Sequence, residues 1–234
     1  MTKRGIFKSL AVKHFLNHAM LAPNVMTVPV DPAIVAEFEP LADEAGLDRA
    51  DFSIARPKWN SDVRWVGPNS ERTFELFESA FDRLAVADCV APYVELASRV
   101  RLFTAMIVLR SRCEEPDFHI DWVRTNNEAF TLLTPISPPI DGFGLVYKKI
   151  TGETASYDYR RGEAIVFGDH FNHSTAPGVS ERPMALLCFN FGTDRMEHWD
   201  KIAHTTAKQT GIVRRPDGEY ERCDLTKPRP VSDP

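Results

Sequence analysis

The sequence predicts a mainly β protein in which an antiparallel sandwich or barrel is preceded by helices. Three observations predict it. From Arg101 onward six runs, 102–109, 118–122, 130–136, 144–150, 163–167 and 184–191, have strand length and are rich in β-branched and aromatic residues. Pro, Gly and Asn separate them, with no helical pattern between, which argues against a doubly wound parallel sheet. A chain of 234 residues, 43% hydrophobic, has the length for one buried core. The expected organisation is a single domain, 1–234, with a mostly helical part at 1–100, a β core at 101–194 and a C-terminal extension at 195–234.

Taken in order, the first thirty residues carry Lys3, Arg4, Lys8 and Lys13 with no acidic residue before Asp31, the composition of some organelle-targeting segments. Lys13, His14, Asn17 and His18 interrupt what would be a secretory apolar stretch, so an amphipathic helix with Phe7, Ala11, Phe15 and Ala19 inward is expected instead. A helix over 31–47 opens with Asp31-Pro32, a cap and first-turn pair, and closes at Gly46. Phe74, Phe77, Phe81 and Leu84 fall at the three-and-four spacing of one buried helix face, and a third helix is expected near 91–100. Between the first two, 52–66 reads as an irregular aromatic loop with Trp59, Asn60 and Trp65. The tail after Gly211, rich in Arg, Pro and Asp, reads as a surface extension or a partly disordered segment.

Composition excludes several functions. A net charge of −5 gives no broad positive field for nucleic acid. No apolar run has the length to cross a bilayer. Cys89, Cys113, Cys188 and Cys223 lie far apart with no Cys-x-x-Cys pair, so neither a zinc knuckle nor a disulfide framework is expected and a reducing cytoplasm is the default location. The N-terminal helices and the tail are the places for a homodimer contact.

The chemistry gathers at His119-Ile120-Asp121. Residues two apart on a strand share a face, so Asp117, His119 and Asp121 point one way and Phe118, Ile120 and Trp122 the other. His-x-Asp is thus a two-ligand edge, and a third ligand has to arrive from a distant strand or turn. Two imidazoles and one carboxylate hold a non-haem ferrous ion on one face and leave the other open for chemistry. His173 is expected to complete the metal set His119, Asp121, His173. His170 competes for that place, but 163–167 reads as a strand and 168–171 as its turn, so that His173 begins the return. His14, His18, His198 and His204 read as ordinary polar residues. Alternation then sets Arg182, Met184, Leu186, Cys188 and Asn190 on one side of a strand, with Ala185, Leu187, Phe189 and Phe191 on the other. A guanidinium at Arg182, facing the interior near the metal, suits a dicarboxylic co-substrate whose other end chelates iron.

With these residues the chain resembles the Fe(II)/2-oxoglutarate-dependent dioxygenase superfamily, whose pattern is His-x-Asp, a long gap, a second His and, about ten residues later, Arg or Lys. The resemblance is carried by Phe118-His119-Ile120-Asp121, by Arg161-Gly162-Glu163-Ala164-Ile165-Val166-Phe167, and by His173-Ser174-Thr175-Ala176-Pro177-Gly178 leading to Glu181-Arg182-Pro183. It covers 101–194. It implies a double-stranded β-helix, or jelly roll, with N-terminal helices buttressing one sheet. It also implies Fe(II) held by His119, Asp121 and His173, and 2-oxoglutarate bound to Arg182 by its distal carboxylate. With O2 as the second co-substrate, an unactivated C–H bond would be hydroxylated as succinate and CO2 are released.

Several subfamilies have Ser or Thr two residues after the arginine; here it is Met184, so the carboxylate pocket needs a hydroxyl from elsewhere, with Thr131, Thr134 and Tyr147 as candidates. Halogenases of the family carry a small residue in place of Asp121, so hydroxylation, desaturation or ring closure is expected rather than halogenation.

The alternatives are a cupin-type metal enzyme that does not use 2-oxoglutarate, a peptide or protein side-chain hydroxylase, and a binding β-sandwich with ordinary histidines. An acidic chain without an appended recognition module favours a small-molecule metabolite or natural-product intermediate as substrate. Trp59, Trp65, Trp122, Arg110, Arg112 and Tyr147 are candidates to line its pocket.

Overall fold

In a computed structural model, which describes residues 24–57, 62–136 and 143–226, two antiparallel sheets enclose the core. The larger has seven strands, in the order β1 (Val25–Pro29), β9 (Glu163–Phe167), β6 (Ala129–Pro135), β11 (Gly178–Gly192), β4 (Arg101–Cys113), β3 (Arg64–Pro68) and β2 (Phe52–Ala55). The smaller has four: β5 (His119–Ile120), β10 (Asn172–Thr175), β7 (Leu145–Lys148) and β8 (Thr154–Tyr157). From β4 to β11 the chain passes back and forth between the two sheets, which is the winding of a double-stranded β-helix. The expected jelly roll is therefore what forms. The proposed first helix, Trp59 and Asn60 lie outside the described residues.

Strand alternation places the site. Along β11, Phe189 and Phe191 meet Phe81 at ring-centroid distances of 5.5 and 5.0 Å. That contact is made by helix α2 (Glu71–Arg83; α1 is Pro32–Ala36), whose Phe74, Phe77 and Phe81 are buried as the helical spacing requires. The alternate residues Met184, Leu186 and Cys188 point to the opposite side, where they line a cavity between the sheets. Covered on both faces, β6 is buried at every position. Helix α2 starts at a reciprocal Ser70–Thr73 capping box and stops before Ala85, whose φ of 52° lies in the left-handed region.

The N-terminal half departs from the helical expectation. Helix α1 is capped by Asp31, whose side chain accepts the Ala33 N–H at 2.8 Å, but it ends at Ala36 and gives way to two 3-10 turns. Pro40 lacks an N–H and blocks a continuous helix to Gly46. The third helix comes early, as α3 (Val86–Val90), and Pro92 lies in the 3-10 turn that follows, so 94–100 is not helical. The supposed loop 52–66 contributes β2 and part of β3, an antiparallel pair at the sheet edge. Nor is the tail a loose extension as far as residue 226, the last of the described residues. Helix α4 (Trp199–Thr206) leads into the hairpin β12 (Ile212–Arg214) and β13 (Tyr220–Arg222), with Ile212 and Val213 buried and Arg214 paired to Glu78. Arg214 thus closes on a helix far away in the chain.

Candidate metal centre

The 118–122 run keeps only two residues of strand, yet those two set the centre. In the β5–β10 ladder His119 stands directly opposite His173, and side chains of directly opposed residues lie on the same face. Their ring centroids are 4.5 Å apart. Asp121, just past the end of β5, brings Oδ1 to 3.6 Å from His119 Nε2. His119, Asp121 and His173 thus offer ligand atoms all within 4.8 Å of one another. His170 sits in the turn, exposed, at a φ of 67°, and is not part of the group.

Each donor is aimed by a second contact. His119 Nδ1 lies 2.8 Å from the Asp117 carbonyl and His173 Nδ1 lies 3.1 Å from the Phe171 carbonyl. A carbonyl only accepts, so Nδ1 carries the proton in both rings and each Nε2 presents its lone pair. His173 is buried against Phe167 and Phe171, with centroids at 4.5 and 5.4 Å. Burial pushes its pKa down to about 4; the nearby Asp121 carboxylate opposes this, His119 adds to it, and the bond to Phe171 opposes it. The imidazole is therefore neutral, as a metal ligand must be.

Asp121 is braced from two sides. Thr131 Oγ1 donates to its Oδ2 at 2.9 Å, and Thr205 of helix α4 donates to its backbone carbonyl at 2.8 Å. Thr131 Oγ1 in turn accepts the indole N–H of Trp122 at 2.9 Å and lies 3.0 Å from Asn190 Oδ1, while Asn190 Nδ2 donates to Gln209 at 2.7 Å. With neutral nitrogens, one carboxylate and an open side, this donor set fits a divalent iron.

The cavity beside the triad is lined chiefly by apolar side chains, among them Val63, Trp65, Met106, Val108, Leu133 and Leu145. Its polar positions are Arg110, Thr131, Tyr159, Ser174, Thr175 and Gln209. Tyr159 is buried, and desolvation raises its phenol pKa well above the ordinary value, so it serves there as a neutral hydroxyl.

The three residues expected to bind the co-substrate are not brought together at the cavity. Arg182 is exposed and does not line the cavity. The reason is a bulge: Val179 pairs with Arg112 and Met184 with Arg110, so Ser180 to Pro183 stand opposite the single residue Ser111. Pro183 has no N–H to give the ladder, and Asp62 Oδ2 accepts the N–H groups of Ser111 and Arg112 at 2.8 and 2.6 Å. Alternation is correct from Met184 onward and fails one step earlier. Tyr147 is buried and stacked on Phe171 rather than turned to the cavity. Thr131 is at the cavity but spends its hydroxyl on Asp121.

Among the pocket candidates, Trp65 and Arg110 line the cavity. Trp122 is buried in a separate cluster with Phe103 and Trp199, and Arg112 is exposed beside Glu114; Thr134, a candidate hydroxyl for the carboxylate, donates to the Glu163 carbonyl. Sequence reasoning missed Tyr159 and Gln209, which lie in irregular segments, and Thr205 of helix α4; none carries a local pattern.

No family model and no curated protein matches the sequence. Among solved structures, the chain is similar to the non-haem α-ketoglutarate-dependent epimerase SnoN from nogalamycin biosynthesis, at 13% identity over 81% of this chain and 84% of that one, with a TM-score of 0.56. It is also similar to HygX from Streptomyces hygroscopicus, solved with nickel and 2-oxoglutarate bound, at 13% identity over 80% and 89%, TM-score 0.53. A prolyl hydroxylase from Trichoplax adhaerens, in complex with a hypoxia inducible factor peptide, matches at 12% over 81% and 90%, TM-score 0.54. The architecture is thus the double-stranded β-helix of the 2-oxoglutarate and Fe(II) oxygenases, the class whose motif the sequence resembles.

Proposed function

We propose that the protein is an Fe(II)- and 2-oxoglutarate-dependent oxygenase that oxidises a C–H bond of a small-molecule metabolite or natural-product intermediate. The observation that carries this reading is the cross-strand pairing of His119 with His173, with Asp121 in reach, at the wall of a largely apolar cavity. Iron and the keto acid, when bound, supply an oxidant strong enough for an unactivated C–H bond. The chain's own part is placement. His119, Asp121 and His173 hold one face of the metal, and the hydrogen bonds behind them fix their aim. Phe167, Phe171 and Leu145 keep bulk water from the His173 side, and Trp65, Met106, Val108 and Leu186 form the apolar walls that seat the substrate carbon. His119, whose side chain is 41% exposed, marks the side open to entry. A concave apolar site with a few polar groups suits a compact organic molecule.

The test is anaerobic reconstitution with ferrous iron followed by exposure to oxygen and 2-oxoglutarate. Wild type is expected to bind one iron per chain and form succinate. His119→Ala and His173→Ala are expected to lose both properties. Equal iron in all three proteins would sink the assignment of the centre, and iron binding without any consumption of 2-oxoglutarate would favour the cupin-type alternative.

A further inference from the structure

We infer that Arg110, and not Arg182, is the side chain that receives the distal carboxylate of the keto-acid co-substrate, an inference that rests on the oxygenase reading above. Arg110 comes from β4, on the strand paired with the one that carries Arg182, and stands opposite Met184 at the point where the bulge ends. Its side chain is 4% exposed and lines the cavity. A buried guanidinium demands anionic or hydrogen-bonding partners. Among the described residues its protein partners are modest: Nε donates to the Arg112 carbonyl at 2.9 Å, the Cys113 thiol is in hydrogen-bond contact, and the carboxylate of half-exposed Asp117 lies 3.8 Å from Nη2. That separation is longer than a charge-assisted hydrogen bond, so the planar fork keeps donor capacity for an anion inside the cavity.

The position also suits the length of the co-substrate. Asp117, which neighbours the guanidinium, accepts the Nδ1–H of His119 through its carbonyl, and Cys113 contacts the Thr175 carbonyl at 3.4 Å. Thr175 lies two residues along β10 from His173, a rise of about 7 Å. A five-carbon keto diacid gripped by its first two carbons carries its second carboxylate carbon about 4 Å away over three carbon–carbon bonds of about 1.5 Å each, and the carboxylate oxygens and the hydrogen bond to the guanidinium cover the rest of that interval. Thr175, which lines the cavity and shares the face of His173 on β10, lies at the same end. The bulge explains why the cation changed strands: it turns Arg182 outward, and Arg110 fills the interior across the ladder.

The experiment is calorimetric binding of 2-oxoglutarate to the manganese-loaded protein without oxygen, beside 2-oxobutanoate, a keto acid without the distal carboxylate. Arg110→Gln is expected to weaken 2-oxoglutarate on the order of 30-fold or more and to leave 2-oxobutanoate unchanged. Arg110→Lys, which keeps the charge and the fold but loses the fork, is expected to fall between the two, and Arg182→Gln to match wild type. Wild-type affinity in Arg110→Gln, equal weakening of both acids, or a loss in Arg182→Gln alone would each overturn the inference. Should Arg110→Gln fail to fold, wild-type affinity in Arg110→Lys overturns it equally. A wild-type protein that takes up manganese but binds neither keto acid overturns the co-substrate reading itself, and the inference with it.

Discussion

The β4–β11 pair runs along the cavity, and its two ends are built on different principles. From Met184 to Asn190 the ladder is regular, and the cavity-facing side of β11 ends on Asn190, which meets Thr131, the brace of Asp121. Every ligand there is held by a hydrogen bond to something fixed. At the other end the ladder lapses, Asp62 takes up the backbone donors that the bulge leaves, and Arg110 is buried with donors to spare. A metal centre gains from donors aimed in advance, because each degree of freedom left to a ligand costs affinity. An anion site gains from a cation kept back from the protein's own carboxylates, because a tight internal partner would have to be displaced.

The largest loss is expected from the regular half. Phe81 supports β11 from behind at Phe189 and Phe191, so Phe81→Ala should cost about 3–5 kcal/mol of folding stability in denaturant titration. If the metal end depends on that straight run, iron affinity should fall in the same variant. A narrower cut is Thr131→Val, which removes the hydroxyl on Asp121 while keeping the volume. Metal affinity should drop roughly 10- to 100-fold with the fold intact by circular dichroism; unchanged affinity would mean that Asp121 needs no brace.

At the bulged end, Asp62→Ala should lower stability by about 1–3 kcal/mol, since the N–H groups of Ser111 and Arg112 lose their shared acceptor. Its effect should fall on 2-oxoglutarate binding more than on iron.

The smallest effect belongs to Asp194, which follows β11 and accepts from the N–H groups of Ala97, Ser98 and Arg99 ahead of β4. Burial raises its carboxyl pKa, but the hydrogen bonds from Arg99, Ser98 and Ala97 outweigh this and hold it down at about 2. A depressed carboxyl contributes stability that is whole above its unfolded value near 3.9 and is lost as pH falls through about 2. The melting temperatures of wild type and Asp194→Ala should therefore converge between about pH 4 and pH 2, and parallel curves would deny Asp194 this role.

The legible parts of the chain share a property. Residues 163–167 form β9 as read, and Phe74, Phe77 and Phe81 bury one helix face, because in both a single periodicity runs unbroken against one core. The choice of His173 over His170 was open to reading for a related reason, since a strand, its turn and the returning strand follow one another within a short segment. What escaped reading lies where one residue or a distant contact decides. Pro40 cut the helix begun at Asp31, and β2 and β8 are too short for alternation to stand out from loop composition. The hairpin after Gly211 is hidden in a charged tail whose partner, Glu78, lies on helix α2.

The order His119, Asp121, His173 and the β-rich core that carries these residues could be read from the chain alone, because spacing of two along an extended chain and strand–turn–strand succession are local properties. Tertiary structure alone decided which cation faces the cavity and which hydroxyls serve which carboxylate. A bulge is a property of two strands at once: whether Ser180 to Pro183 stay in the ladder depends on how β4 satisfies its own backbone, through Asp62. Arg182 sits where the motif places it, and the pairing of its strand turns it to solvent.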